Sequence, residues 1–261
     1  MSQFTMPVTR HMSSPVHTVA AATPLPRVHE ELEAHRVSSL AVVEDDGRLA
    51  GVVTRTDLLR VGQRETGRRP GSPLLSFPDQ PVSEVMTRDV VTVTPLTNLR
   101  LAGQKMVSGR LHRVFVVEEE GGGLRGVVST RDVMNAVAEA RLRLPLSDHM
   151  SHPVFTIRAE EPVGMATERL GKAQVQGLVV VDDGWPVGLF TQVESLLSSA
   201  ASRDTPVEEV MSPSLVCMQQ DTPLYRAAQQ AAATSVRRVL ALNKREVVGI
   251  MSGLDFVRAI L

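Results

Sequence analysis

One pattern recurs four times along the chain and limits what it can fold into. HMSSPVHTVAAATPL begins at His11, VMTRDVVTVTPL at Val85, HMSHPVFTIRAEEPV at His149 and VMSPSLVCMQQDTPL at Val210. Each copy carries a methionine in second place: Met12, Met86, Met150 and Met211. Intervals of roughly 60–75 residues are too long for a simple helical solenoid, so each copy must be a small mixed unit. The longest interval is the first. It contains QRETGRRPGSPLLSFPDQP from Gln63 to Pro81, whose Gly, Pro and charge content reads as a connector between repeats, with a ligand lid as the alternative.

The order of elements within each copy is the same. A short β-prone run leads to Thr23-Pro24, Thr94-Pro95, Glu161-Pro162 or Thr222-Pro223. Proline suits the first helical position, where its missing N–H would be unbonded anyway, and a threonine just before it is placed to cap, better than Glu161. The helices that follow have apolar residues on one face: Leu25, Val28 and Leu32; Val163, Ala166 and Leu170; Leu224, Ala227 and Ala231. In the second copy Leu96 and Leu99 precede Gly103, where the stripe should continue, which predicts a locally weaker helix. Strand-like SLAVV, RVFVV, LVVV and VLAL come next. A turn and a second strand follow, centred on Gly51, Gly126, Gly188 and Gly249, and a short helix closes each unit. The predicted class is α/β: four β-α-β-β-α repeats at 8–62, 82–140, 146–200 and 207–261, assembled as two tandem pairs. A unit of roughly 50 residues has too small a core to stand alone, so pairing is required. Face-to-face packing of the pairs would cover the remaining apolar helical surface.

Composition narrows the function. Hydrophobic residues are 43% of the chain and charged residues 22%, which fits a core-forming protein. Aromatics are only 3%, so Val, Leu, Ile, Met and Ala must supply the core. A formal net charge of -1 offers no argument for nucleic acid or an acidic membrane surface as partner. No apolar run is long enough for a membrane span, and MSQFTMPVTR lacks the apolar stretch of a secretion signal. The single cysteine, Cys217, excludes an intramolecular disulfide and is expected to be buried in a strand. These features point to a cytoplasmic location. HExxH, Walker A, GxSxG and dinucleotide fingerprints are all absent, and the seven histidines show no metal-ligand spacing. The chain is therefore read as a non-enzyme without catalytic or metal-binding residues. His11 and His149, at equivalent positions, suggest packing or interface roles; His29 and His35 read as surface residues.

A second motif ends each repeat: GVVTRTD at Gly51, GVVSTRD at Gly126, GLFTQVE at Gly188 and GIMSGLD at Gly249. Thr54-x-x-Asp57, Ser129-x-x-Asp132, Thr191-x-x-Glu194 and Ser252-x-x-Asp255 are all capping-box patterns, in which the hydroxyl and carboxylate close the first turn of a helix.

The ordered combination of methionine segment, β-α-β-β-α pattern and Gly-h-h-(Ser/Thr)-x-x-(Asp/Glu) resembles the cystathionine beta-synthase (CBS) domain family over nearly the whole chain. The resemblance implies two Bateman modules that bind an adenosine-containing small molecule (AMP, ADP or ATP) in clefts between repeats. It assigns ribose recognition to Asp57, Asp132 and Asp255, with Glu194 departing from the pattern by one methylene. Thr54, Ser129, Thr191 and Ser252 would contact ribose or phosphate from the same turns, with Thr56 and Arg131 as additional contacts. The columns that often carry phosphate-binding residues hold Ser38 and Ser39, His112 and Arg113, Gln176 and Gly177, and Arg237 and Arg238. Repeats two and four therefore carry the phosphate arms, since guanidinium groups bind phosphate oxygens in pairs. His17, Val91, Phe155 and Val216 match the strand position whose backbone reads the adenine edge. One or two clefts are expected to be occupied. S-adenosyl compounds, NAD and dinucleotide polyphosphates are alternative ligands, and a non-catalytic scaffold with vestigial clefts is the alternative function. The output would pass to a separate effector protein; self-association as a homodimer is left open.

Overall fold

Short apolar runs separated by turns form four three-stranded sheets in the computed structural model, which describes residues 2–62, 76–119, 122–198 and 201–261. Most of the Gln63–Pro81 connector lies outside the described residues, and so does the lid alternative. In the first repeat β1 (Thr18–Ala20) runs parallel to β2 (Ser39–Val43), and β2 is antiparallel to β3 (Leu49–Thr54). A parallel pair needs a crossover, which α1 (Leu25–Ala34) supplies; α2 (Arg55–Val61) follows β3. The second repeat comprises β4 (Thr92–Val93), α3 (Leu99–Ser108), β5 (Arg113–Val117), β6 (Leu124–Ser129) and α4 (Thr130–Glu139). The third comprises β7 (Thr156–Arg158), α5 (Val163–Ala173), β8 (Gly177–Asp182), β9 (Trp185–Thr191) and α6 (Gln192–Leu197). The fourth comprises β10 (Cys217–Gln219), α7 (Leu224–Thr234), β11 (Arg238–Asn243), β12 (Glu246–Ser252) and α8 (Gly253–Arg258). In every sheet the middle strand is the one after the crossover helix.

The recurring methionines and glycines are the devices that pair the repeats. The opening segment of one repeat crosses to the last strand of its neighbour. Thr87 and Val52 exchange both backbone hydrogen bonds, as do Ser13 and Val127, Ser151 and Ile250, and Ser212 and Leu189. In three of these pairs the methionine before the bridge lies over the strand glycine. A Cβ on Gly51 would come 2.6 Å from Met86 Sδ and 2.9 Å from the Thr87 carbonyl oxygen. Gly188 meets Met211, and Gly249 meets Met150, in the same way. Only glycine allows this approach, which draws the neighbour's chain into the core. Accordingly Val82 and Met86 of repeat two complete the core of Leu25, Val28, Leu40 and Val53 in repeat one. Repeats three and four share a second core between their sheets, where Val179, Leu189 and Leu240 meet.

Contacts divide the chain into two compact units. One holds Met1–Met12, Leu96–Val114 and Val128–Leu261; the other holds Ser13–Pro95 and Phe115–Val127. The division passes through β5 and β6, so it does not follow the expected boundary between tandem pairs. The reason lies within the larger unit, where α4 packs on α7 and α8, and α3 packs on α8. Repeat two thus shares its helical face with repeat four.

Several local expectations need correction. Pro24, Pro162 and Pro223 are N-cap residues in extended conformation rather than first helical residues, and none of these helices has a side-chain cap. Glu161 accepts instead from the Arg158 N–H at 2.8 Å and takes both guanidinium nitrogens of Arg169, at 3.0 and 2.8 Å. In repeat two the helix starts at Leu99, capped by the Asn98 side chain at 2.8 Å from the Leu101 N–H, and Leu96 is 82% exposed. Gly103 does not mark a weak point: a Cβ there would lie 2.9 Å from Val257 Cγ1, so glycine lets α8 pack closely on α3. Cys217 is exposed rather than buried, because β10 is a short edge strand. Among the described residues no helix is long and apolar enough to cross a membrane.

Candidate functional site

All four Ser/Thr-x-x-Asp/Glu motifs form capping boxes at the entry to the closing helix. One carboxylate oxygen is used in each. Asp57 Oδ2 accepts from the Thr54 N–H at 2.9 Å and its hydroxyl at 2.6 Å. Asp132 Oδ2 accepts the same pair from Ser129, at 2.7 and 2.6 Å, and Asp255 Oδ2 from Ser252, at 2.7 Å each. Glu194 reaches the N–H and hydroxyl of Thr191 in the same way.

The second carboxylate oxygen distinguishes the repeats. Asp255 Oδ1 accepts from the Ser151 hydroxyl at 2.8 Å and from Arg258 Nη1 at 2.5 Å, and the residue is only 1% exposed. Four donors around a buried carboxylate leave it little capacity to accept from anything else. Asp57 Oδ1 faces Arg60 Nη1 at 3.3 Å. Asp132 instead lies within range of Arg113, whose charge it stabilises.

Arg113 belongs to a basic cluster within the larger unit. His112 and Arg113 open β5, while Arg237 and Arg238 stand at the start of β11. Gln176, just ahead of β8, joins them: it is hydrogen-bonded to the His112 side chain, and its carbonyl oxygen accepts from Arg238 Nη2 at 3.4 Å. The two arms that the sequence placed in separate repeats meet in one location. Arg237 is exposed, and Arg113 and Arg238 are half-buried. Burial and the charge of Arg237 together pull the Arg113 pKa down to about 10, with Asp132 opposing. Burial also lowers the Arg238 pKa; Glu194 opposes it and Arg237 adds to it. His112 is held below its ordinary value, first by burial and then by Arg113, Arg238 and Arg237, against the Gln176 hydrogen bond. Every one of these shifts disfavours a positive charge. An anion placed among the four residues would reverse the effect.

The remaining sequence candidates are dispersed. Thr54 and Thr56 are half-buried at the start of α2, and Arg131 is exposed beside Asp132. His17, Val91, Phe155 and Val216 occupy one structural position in the four repeats. Each carbonyl accepts a strand hydrogen bond, from Ala41, Phe115, Val179 and Leu240 respectively. The first three are exposed and Val216 is buried. The His17 ring stacks on His35 with centroids 3.9 Å apart, and His29 packs on Phe77, contacts that sequence reasoning missed. The role of Gln176 was also missed, since an uncharged side chain in a phosphate-binding column carries no signal of its own.

The family model for the CBS domain matches residues 8–64, 82–139, 146–194 and 207–261. The chain belongs to the CBS domain family. A 33.4 kDa protein in the ribosomal RNA operon of Thermofilum pendens is 29% identical over 186 residues, covering 66% of this chain and 57% of its own length. Inosine-5'-monophosphate dehydrogenase of Rhodopirellula baltica is 32% identical over 121 residues, which cover 46% of this chain but only 19% of that enzyme. The chain thus spans little more than half of one of these relatives and about a fifth of the other. Among solved CBS-like structures, protein MJ1225 from Methanocaldococcus jannaschii superimposes with a TM-score of 0.77 at 17% identity, covering 98% of this chain and 100% of that one. A conserved protein from Pyrococcus horikoshii gives a TM-score of 0.70 at 18% identity, with the same coverage. At such identities these likenesses concern the fold.

Proposed function

We propose that this four-repeat CBS protein is a ligand-sensing regulatory module that binds an anionic, adenosine-containing nucleotide (AMP, ADP or ATP) with its phosphates among His112, Arg113, Arg237 and Arg238. The observation that carries the reading is the convergence of these four residues from two repeats. Asp132 and Glu194 offset this crowding only in part, since the Arg113 and Arg238 pKa values stay lowered, and an anion placed among the four residues would offset it further. A scaffold with vestigial clefts would gain nothing by holding them together. Arginine also suits the task chemically, because its planar fork binds two phosphate oxygens at once.

Asp132 is the ribose acceptor we assign, since it lies beside Arg113 and keeps its capping role through one oxygen. Asp255 serves its own helix and the Ser151 segment. Ligand entry would relieve repulsion between the start of β5 and the start of β11. Because α4, α7 and α8 continue from these repeats and pack together, a change at the cluster would bias that helical interface, and an effector protein would read the result. Binding to nucleotide-stripped protein, measured by calorimetry with AMP, ADP and ATP, tests the proposal. Saturable binding that strengthens with phosphate number supports it.

A further inference from the structure

The segment that follows α4 and runs against the start of α7 carries a second basic surface with a different construction. After α4 ends, Arg141 adopts a left-handed conformation (φ 49°), its N–H donating to the Ala138 carbonyl at 3.1 Å. The chain then runs Arg141-Leu142-Arg143-Leu144-Pro145 with the arginines exposed and the leucines half-buried. Two hydrogen bonds hold this run against the start of α7: the Tyr225 N–H donates to the Leu142 carbonyl at 3.1 Å, and the Leu224 N–H to Leu144 at 2.8 Å. Tyr225 lies alongside, its phenol oxygen accepting from Arg226 Nε at 3.1 Å while the guanidinium lies 5.9 Å from its ring centre. Arg141 and Arg143 are close enough to lower the phenol pKa together with Arg226, the largest contributor.

The same backbone device occurs in other repeats without this charge. The Val163 N–H donates to Thr205, and the Leu25 N–H to Gln80, each just before a proline. The residue that corresponds to Arg143 is Asp204 in one case and Asp79 in the other. Arg27, Arg55, Arg125 and Arg203 each lie within ion-pair distance of a glutamate, and the exposed arginines without such a partner, such as Arg36, Arg110 and Arg245, are scattered over different repeats. Among the described residues Arg141, Arg143 and Arg226 have no such carboxylate. The fixed backbone means that little additional order is needed to present them.

We infer that Arg141, Arg143, Tyr225 and Arg226 form a docking surface for an extended acidic segment of a partner protein. Alternate residues of an extended chain point the same way, so carboxylates two positions apart match Arg141 and Arg143. Each arginine offers a two-pronged contact to a carboxylate, and the Tyr225 ring packs against the backbone between them. The chain's net charge of -1 and the small extent of the patch favour a short acidic peptide over a nucleic acid backbone.

Fluorescence anisotropy with a labelled octapeptide of alternating Glu and Ser tests this surface independently of the cluster around Arg113. Saturable binding that weakens with added salt is expected. An Arg141→Glu/Arg143→Glu variant should bind on the order of tenfold more weakly or worse, with its melting temperature unchanged. Arg27→Glu/Arg55→Glu, which alters the same charge elsewhere, should bind as the parent does. The inference is overturned by absence of saturable binding at low salt, by equal loss in the two variants, or by tighter binding of an oligothymidylate of the same charge.

Discussion

Arg113, at the start of β5, lies close enough to Arg237, just ahead of β11, for the two positive charges to repel. Their repeats are far apart in sequence, so the juxtaposition is a product of the fold. On the proposed reading, this repulsion is what a bound anion would relieve.

Replacing Arg237 by Gln should therefore have opposite effects with and without ligand. The ligand-free variant should melt at a higher temperature than the parent in differential scanning calorimetry, because one partner of the repulsion is gone. The stabilisation conferred by ATP should shrink in the same experiment.

The His112 pKa gives a pH signature. Its folded value is lowered from 6.5, so as pH falls the unfolded chain takes up this proton before the folded chain does. Stability is then lost as pH drops through 6.5 and stops falling once the folded value is passed. Between about pH 7.5 and 5.5 the parent should lose more stability than His112→Gln in denaturant titrations. A bound phosphate should raise the His112 pKa, so nucleotide binding should take up protons and tighten as pH falls. Calorimetry in buffers of different ionisation enthalpy measures that uptake directly.

The strand glycine and the neighbour's methionine form a unit that pairs the repeats. Gly51→Ala places a methyl group 2.6 Å from Met86 Sδ, and should cost about 1–3 kcal/mol, the usual range for overpacking. Met86→Ala should cost about 2–5 kcal/mol through the cavity it leaves. The double variant should be less damaged than the sum, because the Thr87 carbonyl remains but the sulfur clash is removed. Urea denaturation of the three variants gives the coupling.

The capping carboxylates should separate by their surroundings. Asp57→Asn should lose about 0.5–2 kcal/mol, as expected for a helix cap. Asp255→Asn should lose more, about 2–4 kcal/mol, because it also removes the charge of a buried carboxylate that accepts from Ser151 and Arg258. Equal losses, measured by the same denaturation, would contradict the division of roles between them.

The sequence was most legible where the determinants are local. Ser/Thr-x-x-Asp/Glu needs only one helical turn, and all four capping boxes form. The succession of elements followed from apolar runs and turns spaced alike in four repeats. Long-range closure was not legible. Nothing in GVVTRTD says that Met86 will cover its glycine, although a glycine and a methionine recurring together in every repeat were the available signal. Gly103 read as a helix weakness because its partner, Val257, lies in the last helix of the chain. Cys217 read as buried because residue preference does not identify an edge strand. The separation of Asp132 from Asp255 depended on Ser151, which belongs to a different repeat. For the same reason the two basic pairs were visible individually, but their meeting was not: it requires repeat two to pack its helices on repeat four.

The most direct test of the account is calorimetric titration of nucleotide-stripped protein with AMP, ADP and ATP, repeated on Arg113→Ala and Arg237→Ala. One cluster served by both arms predicts saturable binding in the parent and weaker binding in both variants. Each variant should lose about 1.5–3 kcal/mol, as for a hydrogen bond to a charged group, with a flatter dependence on phosphate number. Binding that is unaffected by either substitution, or absence of both heat and thermal shift with all three nucleotides, would contradict it.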